Sequence, residues 1–99
     1  MIVVITQEAE DDLERIGDYI ARDNPARAAT FVNELVERCR RLGDMPRRFP
    51  IVTRYEHTGV RRRPHGEYLI FYRVDEASVK VLRILNGAQD YESLVFLAP

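Results

Sequence analysis

The stretch RRRPHGEYLIFYRVDEASVKVLRILNGAQDYE, Arg61 to Glu92, decides how the rest of the chain reads. Within it, Tyr68-Leu69-Ile70-Phe71-Tyr72-Arg73-Val74 and Val79-Lys80-Val81-Leu82-Arg83-Ile84-Leu85 have the β-branched and aromatic content of strands. The short polar connection Asp75-Glu76-Ala77 between them predicts a β-hairpin, which Asn86-Gly87 closes. Apolar residues occur at both parities in each strand, so the sheet is expected to be covered on both faces, at least in part. Upstream, a further strand is expected over Val60 to Arg63, ending at the break Pro64-His65-Gly66. Alternation puts Arg61 and Arg63 on one face of that strand and Arg62 on the other, and Tyr68 and Tyr72 on a common face of the next.

Outward from this hairpin lies the material expected to cover it. Met1 to Ile5 is short, apolar and β-branched and reads as a buried strand; Thr6 is placed to cap a helix with Glu8 and Glu10 in its first turn. Ala9, Leu13, Ile16 and Ile20 form one apolar stripe, and Glu10, Asp11, Asp12, Glu14 and Asp18 read as a solvated face. Asp23-Asn24-Pro25 ends this helix and starts a second, with stripe Ala28, Phe31 or Val32, Leu35, Cys39 and Leu42 and a C-cap at Gly43. So short a connection implies an antiparallel helical hairpin whose inner face packs on the sheet. Phe49 lies between Pro46 and Pro50 in a loop. Asp90 to Leu97 is expected to form helical turns or a last strand, with the apolar tail through Ala98-Pro99 docked on the body or on a partner. The fold expected is α+β, one domain over residues 1–99, in the order β-α-α-β-β-β with a mainly antiparallel sheet.

Charge is partitioned along the chain although the net value is only -1. Residues 1–37 carry nine acids and three arginines, whereas residues 38–65 carry nine arginines against Asp44 and Glu56. Only Lys80 is a lysine, and the arginine fork suits carboxylate and phosphate partners. No run approaches the roughly 20 apolar residues of a membrane span, and Met1 to Ile5 lacks a basic leader and a cleavage site, so a cytoplasmic location is expected. The single Cys39 excludes an intramolecular disulfide and reads as a small core residue.

Catalytic inventory is thin. His57 and His65 have no metal-ligand spacing, and no phosphate-cradling glycine loop or nucleophile elbow is present, so no metal and no cofactor is expected. What remains is an arginine-rich strand beside an aromatic one: Arg61, Arg62, Arg63, Tyr68, Tyr72, Arg73, Arg83 and Tyr91. Such a cluster suits RNA phosphates and stacked bases, or an acidic protein surface. Composition does not separate the two. Arg83, among apolar neighbours, is expected to exit to solvent or to pair with an acid such as Glu67 or Asp90.

The order strand, helical hairpin, three strands, with Arg-x-Pro-x-Gly-x-Tyr-Leu-Ile-Phe-Tyr-Arg at Arg62 to Arg73 and Ile-Leu-x-Gly-Ala-x-Asp-Tyr at Ile84 to Tyr91, resembles the ParE-type toxins of the RelE/ParE toxin-antitoxin superfamily. The resemblance spans essentially the whole chain. It implies a toxin of a type II system, connected with growth inhibition and plasmid stabilisation, that acts by binding DNA gyrase and not as an enzyme. It also implies a ParD-like antitoxin partner in a hetero-oligomer that reaches DNA only through that complex. RelE-like relatives instead cut messenger RNA in the ribosome, typically with an arginine after the first tyrosine of the central strand and another after the last strand. Leu69 and Gln89 stand at those positions here, and a metal-free nuclease needs such cations to meet transition-state charge. Should the chain cleave RNA, Arg62, Arg83 and Tyr91 are the residues expected to do it. A third reading is an interaction module that has lost toxicity and binds only its antitoxin. Many ParE-like sequences carry His-Gly-Ala-Arg-Asp where this chain has Asn86-Gly87-Ala88-Gln89-Asp90, which leaves the target open. The binding candidates are Arg61, Arg62, Arg63, Arg73, Arg83, Asn86, Gln89 and Tyr91; Phe49, Leu94 and Phe96 are candidate antitoxin contacts.

Overall fold

A computed structural model describes residues 1–97. It has strand β1 (Ile2–Ile5), helices α1 (Gln7–Ala21) and α2 (Pro25–Arg41), and strands β2 (Val60–His65), β3 (Tyr68–Val74) and β4 (Ser78–Asn86). A short 3-10 turn at Glu56–Thr58 precedes β2, and one π-type helical turn, Ser93–Leu97, follows β4. The α+β architecture is the expected one. The sheet order is β1-β4-β3-β2, with β1 parallel to β4 and the other pairs antiparallel.

Local chemistry explains the elements. Thr6 accepts from the Ala9 amide and its hydroxyl donates to the Val81 carbonyl, so one residue both caps α1 and fastens it to β4. Asn24 caps α2 through the Arg27 amide, with Pro25 in the first turn. Gly43 follows α2 as expected, but it is not in the left-handed region. Its reason is proximity, since a Cβ there would collide with the Met1 carbonyl oxygen. Strand β2 runs through Pro64 to His65, two residues further than expected. Proline is tolerated because β2 is an edge strand, and the turn is made by Gly66 at φ 58°.

One irregularity organises the core. Tyr72 pairs with Val81 but Phe71 pairs with Arg83, so Leu82 is an extra residue in β4. Before this bulge Val79 and Val81 face the helices; after it Ile84 does, while Leu82 and Leu85 face the other way. The helix side of the sheet packs Ile70, Tyr72, Val79, Val81 and Ile84 against Ala9, Leu13, Ile16, Phe31, Leu35 and Cys39. The opposite side packs Phe71, Leu85, Val52 and Val60 under Tyr55, Tyr91, Val95 and Phe96. Both faces are covered, as the mixed parity predicts. Docking of the tail holds for Val95 and Phe96; Ala98 and Pro99 lie outside the described residues.

Asp12 does not sit on a solvated face. It is 1% exposed, accepts from Nε and Nη2 of Arg83 at 2.8 and 3.0 Å and from the Ile84 amide at 2.9 Å, and also meets Arg15. Strand β1 stops at Ile5, so the edge of β4 beyond Val81 lacks a neighbouring strand, and the Asp12 carboxylate supplies the acceptor that a strand would have supplied. The partner of Arg83 is thus Asp12, not Glu67 or Asp90. That hydrogen-bonded carboxylate holds the Arg83 guanidinium more firmly protonated than usual.

Candidate functional site

The β2 arginines separate by strand alternation. Arg62 turns away from the helices and donates from Nη1 to the Tyr91 hydroxyl at 3.1 Å, with its guanidinium 6.0 Å from the ring centre. Tyr91 in turn packs on Phe71, ring centres 5.2 Å apart. Beside this pair Tyr55 donates to Glu92 at 2.9 Å and stacks on Phe96 at 3.8 Å, nearly parallel. The hydrogen bond to Glu92 and then burial raise the Tyr55 phenol above its ordinary range. Arg62, Tyr91 and Glu92, with Val52, Thr53 and Arg54, enclose a recess of about 190 Å³.

Arg54 is the residue sequence reasoning missed. It has φ 78°, the left-handed region, and its amide donates to Oε1 of Glu56 at 2.7 Å. A non-glycine residue held there costs on the order of 1–3 kcal/mol and marks a place where local structure overrides preference. No glycine or asparagine in Thr53-Arg54-Tyr55 signals the conformation.

The other candidates are dispersed. Arg61 donates to the Arg47 and Phe49 carbonyls at 3.2 and 2.7 Å, and so ties the proline-flanked loop to β2. Arg63 lies over the Phe49 ring at 4.9 Å on the helix side. Arg73 pairs with Asp75 at the far end of the β3–β4 hairpin, where Lys80 first and then Arg73 hold that carboxylate below its usual range. Arg83 is engaged by Asp12. Asn86 and Gln89 bond to one another's backbone, the Asn86 amide donating to Gln89 Oε1 at 3.0 Å and the Gln89 amide to the Asn86 carbonyl at 3.0 Å. Of the candidate antitoxin contacts, Leu94 is exposed, Phe49 is half-buried beside the helix-side core, and Phe96 is occupied by Tyr55. The structure therefore brings Arg62 and Tyr91 together, whereas Arg83, in the same cross-strand row through Phe71, has its guanidinium held by Asp12.

His65 and Glu34 join α2 to the β2 end. His65 stacks on Phe31 at 5.6 Å, and its Nε2 lies 3.2 Å from Glu34, whose carboxylate Arg27 and then His65 hold below the usual range. Among the described residues no cluster of three or more His, Cys, Asp or Glu is arranged to hold a metal, and no helix is long and apolar enough to cross a membrane.

Comparison with known proteins follows the same outline. The family model described as the ParE toxin of the type II toxin-antitoxin system, parDE, matches residues 3–91. The chain belongs to the ParE toxin family. A chain of the chromosomal ParDE toxin-antitoxin system from P. aeruginosa is 25% identical, with TM-score 0.75, over 87% of this chain and 95% of that one. A chain of the toxin-antitoxin complex RelBE2 from Mycobacterium tuberculosis is 26% identical, with TM-score 0.64, over 86% and 95%. No curated protein matches. This ParE-family chain shares its backbone arrangement with a chain of each of these two systems.

Proposed function

We propose that this toxin inhibits DNA gyrase by binding it, without enzymatic chemistry, in the cytoplasm, and that a ParD-like antitoxin neutralises it in a hetero-oligomer that alone contacts DNA. The observation that supports non-enzymatic action is that Arg83, one of the cations a nuclease would need, is tied up by the buried carboxylate of Asp12. Of Arg62, Arg83 and Tyr91, only Arg62 and Tyr91 meet; Arg83 is bonded to Asp12. Leu69 packs into the apolar cluster behind the sheet, and Gln89 spends its carbonyl on the Asn86 amide. Charge developing on a scissile phosphate near Tyr91 would find Arg62 and the exposed Arg54, where preorganised stabilisation requires several donors converging on one point. Binding needs no such convergence. Arg62, Arg54 and Tyr91 offer a cationic, aromatic surface of the kind that anchors protein interfaces.

The test is a supercoiling assay with the purified toxin, run beside ribosome-coupled messenger RNA cleavage and repeated with antitoxin. Loss of supercoiling, relieved by antitoxin and weakened by Arg62→Ala, is the expected result. Codon-positioned RNA cuts with supercoiling intact would establish the ribonuclease reading, which the RelBE2 likeness keeps in view. Silence in both assays would favour a different target or a module that has lost toxicity and binds only its antitoxin.

A further inference from the structure

The arginines that the Arg62–Tyr91 face does not use converge at the C-terminal end of α2. Arg41, Arg48 and Arg63 line a recess of about 210 Å³ in which Asp44 is the one carboxylate. A second hollow of about 310 Å³ shares Met45 and Arg48 with it, so the depression extends along the loop. Arg48 and Arg63 both lie over the Phe49 ring, at 5.5 and 4.9 Å, so one ring holds two guanidiniums near enough for the charge of one to act on the other. Among the described residues no carboxylate pairs with Arg38, Arg48 or Arg63. Burial and then the charges of Arg38 and Arg48 lower the pKa of Arg63, as expected of a cation crowded by its own kind. An anion set among them would relieve that repulsion.

We propose that this groove docks an acidic peptide, seating a carboxylate side chain between Arg48 and Arg63 and a neighbouring apolar side chain against Met45 and Phe49. Guanidinium forks donate to carboxylate and phosphate oxygens alike, so the walls decide between them. Met45 is 63% exposed, an adaptable apolar contact suited to a peptide side chain. Phe49, the groove's ring, already meets two guanidiniums and is half-buried against the helix-side core, which disfavours a stacked base. Asp44 would repel a chain charged at every unit, whereas a peptide meets it with spaced acids. The inference rests on the reading of a neutralising protein partner and deepens it by naming the surface and the chemistry that surface selects.

The test titrates the intact protein into a labelled peptide alternating glutamate with leucine. Binding is expected, and the counterpart with glutamine for glutamate should bind at least about tenfold more weakly. Arg48→Gln, at an exposed position, should weaken binding about tenfold with the thermal transition unchanged, while the remote Arg22→Gln, an equal loss of charge, should not. The chain has two methionines, so in methyl-labelled protein the Met45 signal should move on binding and that of Met1 stay. Equal binding of both peptides, equal loss in both variants, or tighter binding of single-stranded RNA of the same charge would overturn the proposal. Peptide binding by a protein that leaves gyrase untouched would support the groove and reject gyrase as target; gyrase inhibition without peptide binding would reject the groove alone.

Discussion

Asp12 carries more of the architecture than any other polar side chain. Its carboxylate holds Arg83, Arg15 and the Ile84 amide at once, while being 1% exposed. Asp12→Ala leaves a half-buried guanidinium and a buried amide without acceptors, and is expected to lower unfolding free energy by about 3 kcal/mol. Asp12→Asn keeps one acceptor oxygen and should lose about half as much. Urea titration checks both; a loss under about 1 kcal/mol for alanine would mean that the pair hardly exceeds its own desolvation. Sequence periodicity misplaced this residue, although Asp12 stands three after Ala9 and four before Ile16, inside the apolar stripe. An aspartate there is buried only if a distant donor meets it, and Arg83 lies 71 residues away. Local spacing holds no trace of that.

Elements were legible where their signals are local. The caps Thr6 and Asn24, the apolar stripes of both helices and the β3–β4 hairpin all follow from short-range chemistry. So does the division of Arg62 from Arg61 and Arg63, because strand alternation needs no tertiary knowledge. The bulge at Leu82 was not legible: apolar residues of both parities announced a two-faced sheet, but not the residue at which β4 changes faces. Gly43 was found for the wrong reason. Read as a conformational stop for α2, it is instead the point where the loop touches the backbone before β1. Gly43→Ala should therefore destabilise by about 1–3 kcal/mol through overpacking against an immovable carbonyl, where a mere loss of chain entropy would stabilise. Thermal unfolding decides the sign, and an unchanged or raised midpoint would place the cause elsewhere.

At the scale of the whole molecule, Cys39 reports how tightly the two layers close. It is fully buried between α2 and the sheet, and burial pushes its thiol up to about 12. A thiol reagent at mildly alkaline pH should find no thiolate and no access, so labelling in native buffer is expected to be slower than in urea by on the order of 10³-fold or more. Labelling at a similar speed in both would mean that α2 lifts from the sheet without global unfolding. The fold class was readable because each element announces itself, and their order in turn carried the resemblance. The sheet order was not, because pairing of β1 with β4 joins segments with no local signal for each other. Likewise the Arg62–Tyr91 contact joins residues 29 apart, and no local pattern shows that they meet.

The parallel partnership of Ile2–Ile5 with Ser78–Val81 also sets a timetable. At ribosomal speeds of about 5–20 residues per second, roughly 4–15 s separate emergence of the first strand from emergence of its neighbour. Through that interval α1 and α2 can coil, but their apolar inner face has no sheet to rest on, and Asp12 has no Arg83. Arg62 in its turn waits a further 29 residues for Tyr91. The nascent chain thus carries its whole arginine block before the Arg62–Tyr91 face can form, because that face waits for a residue beyond β4.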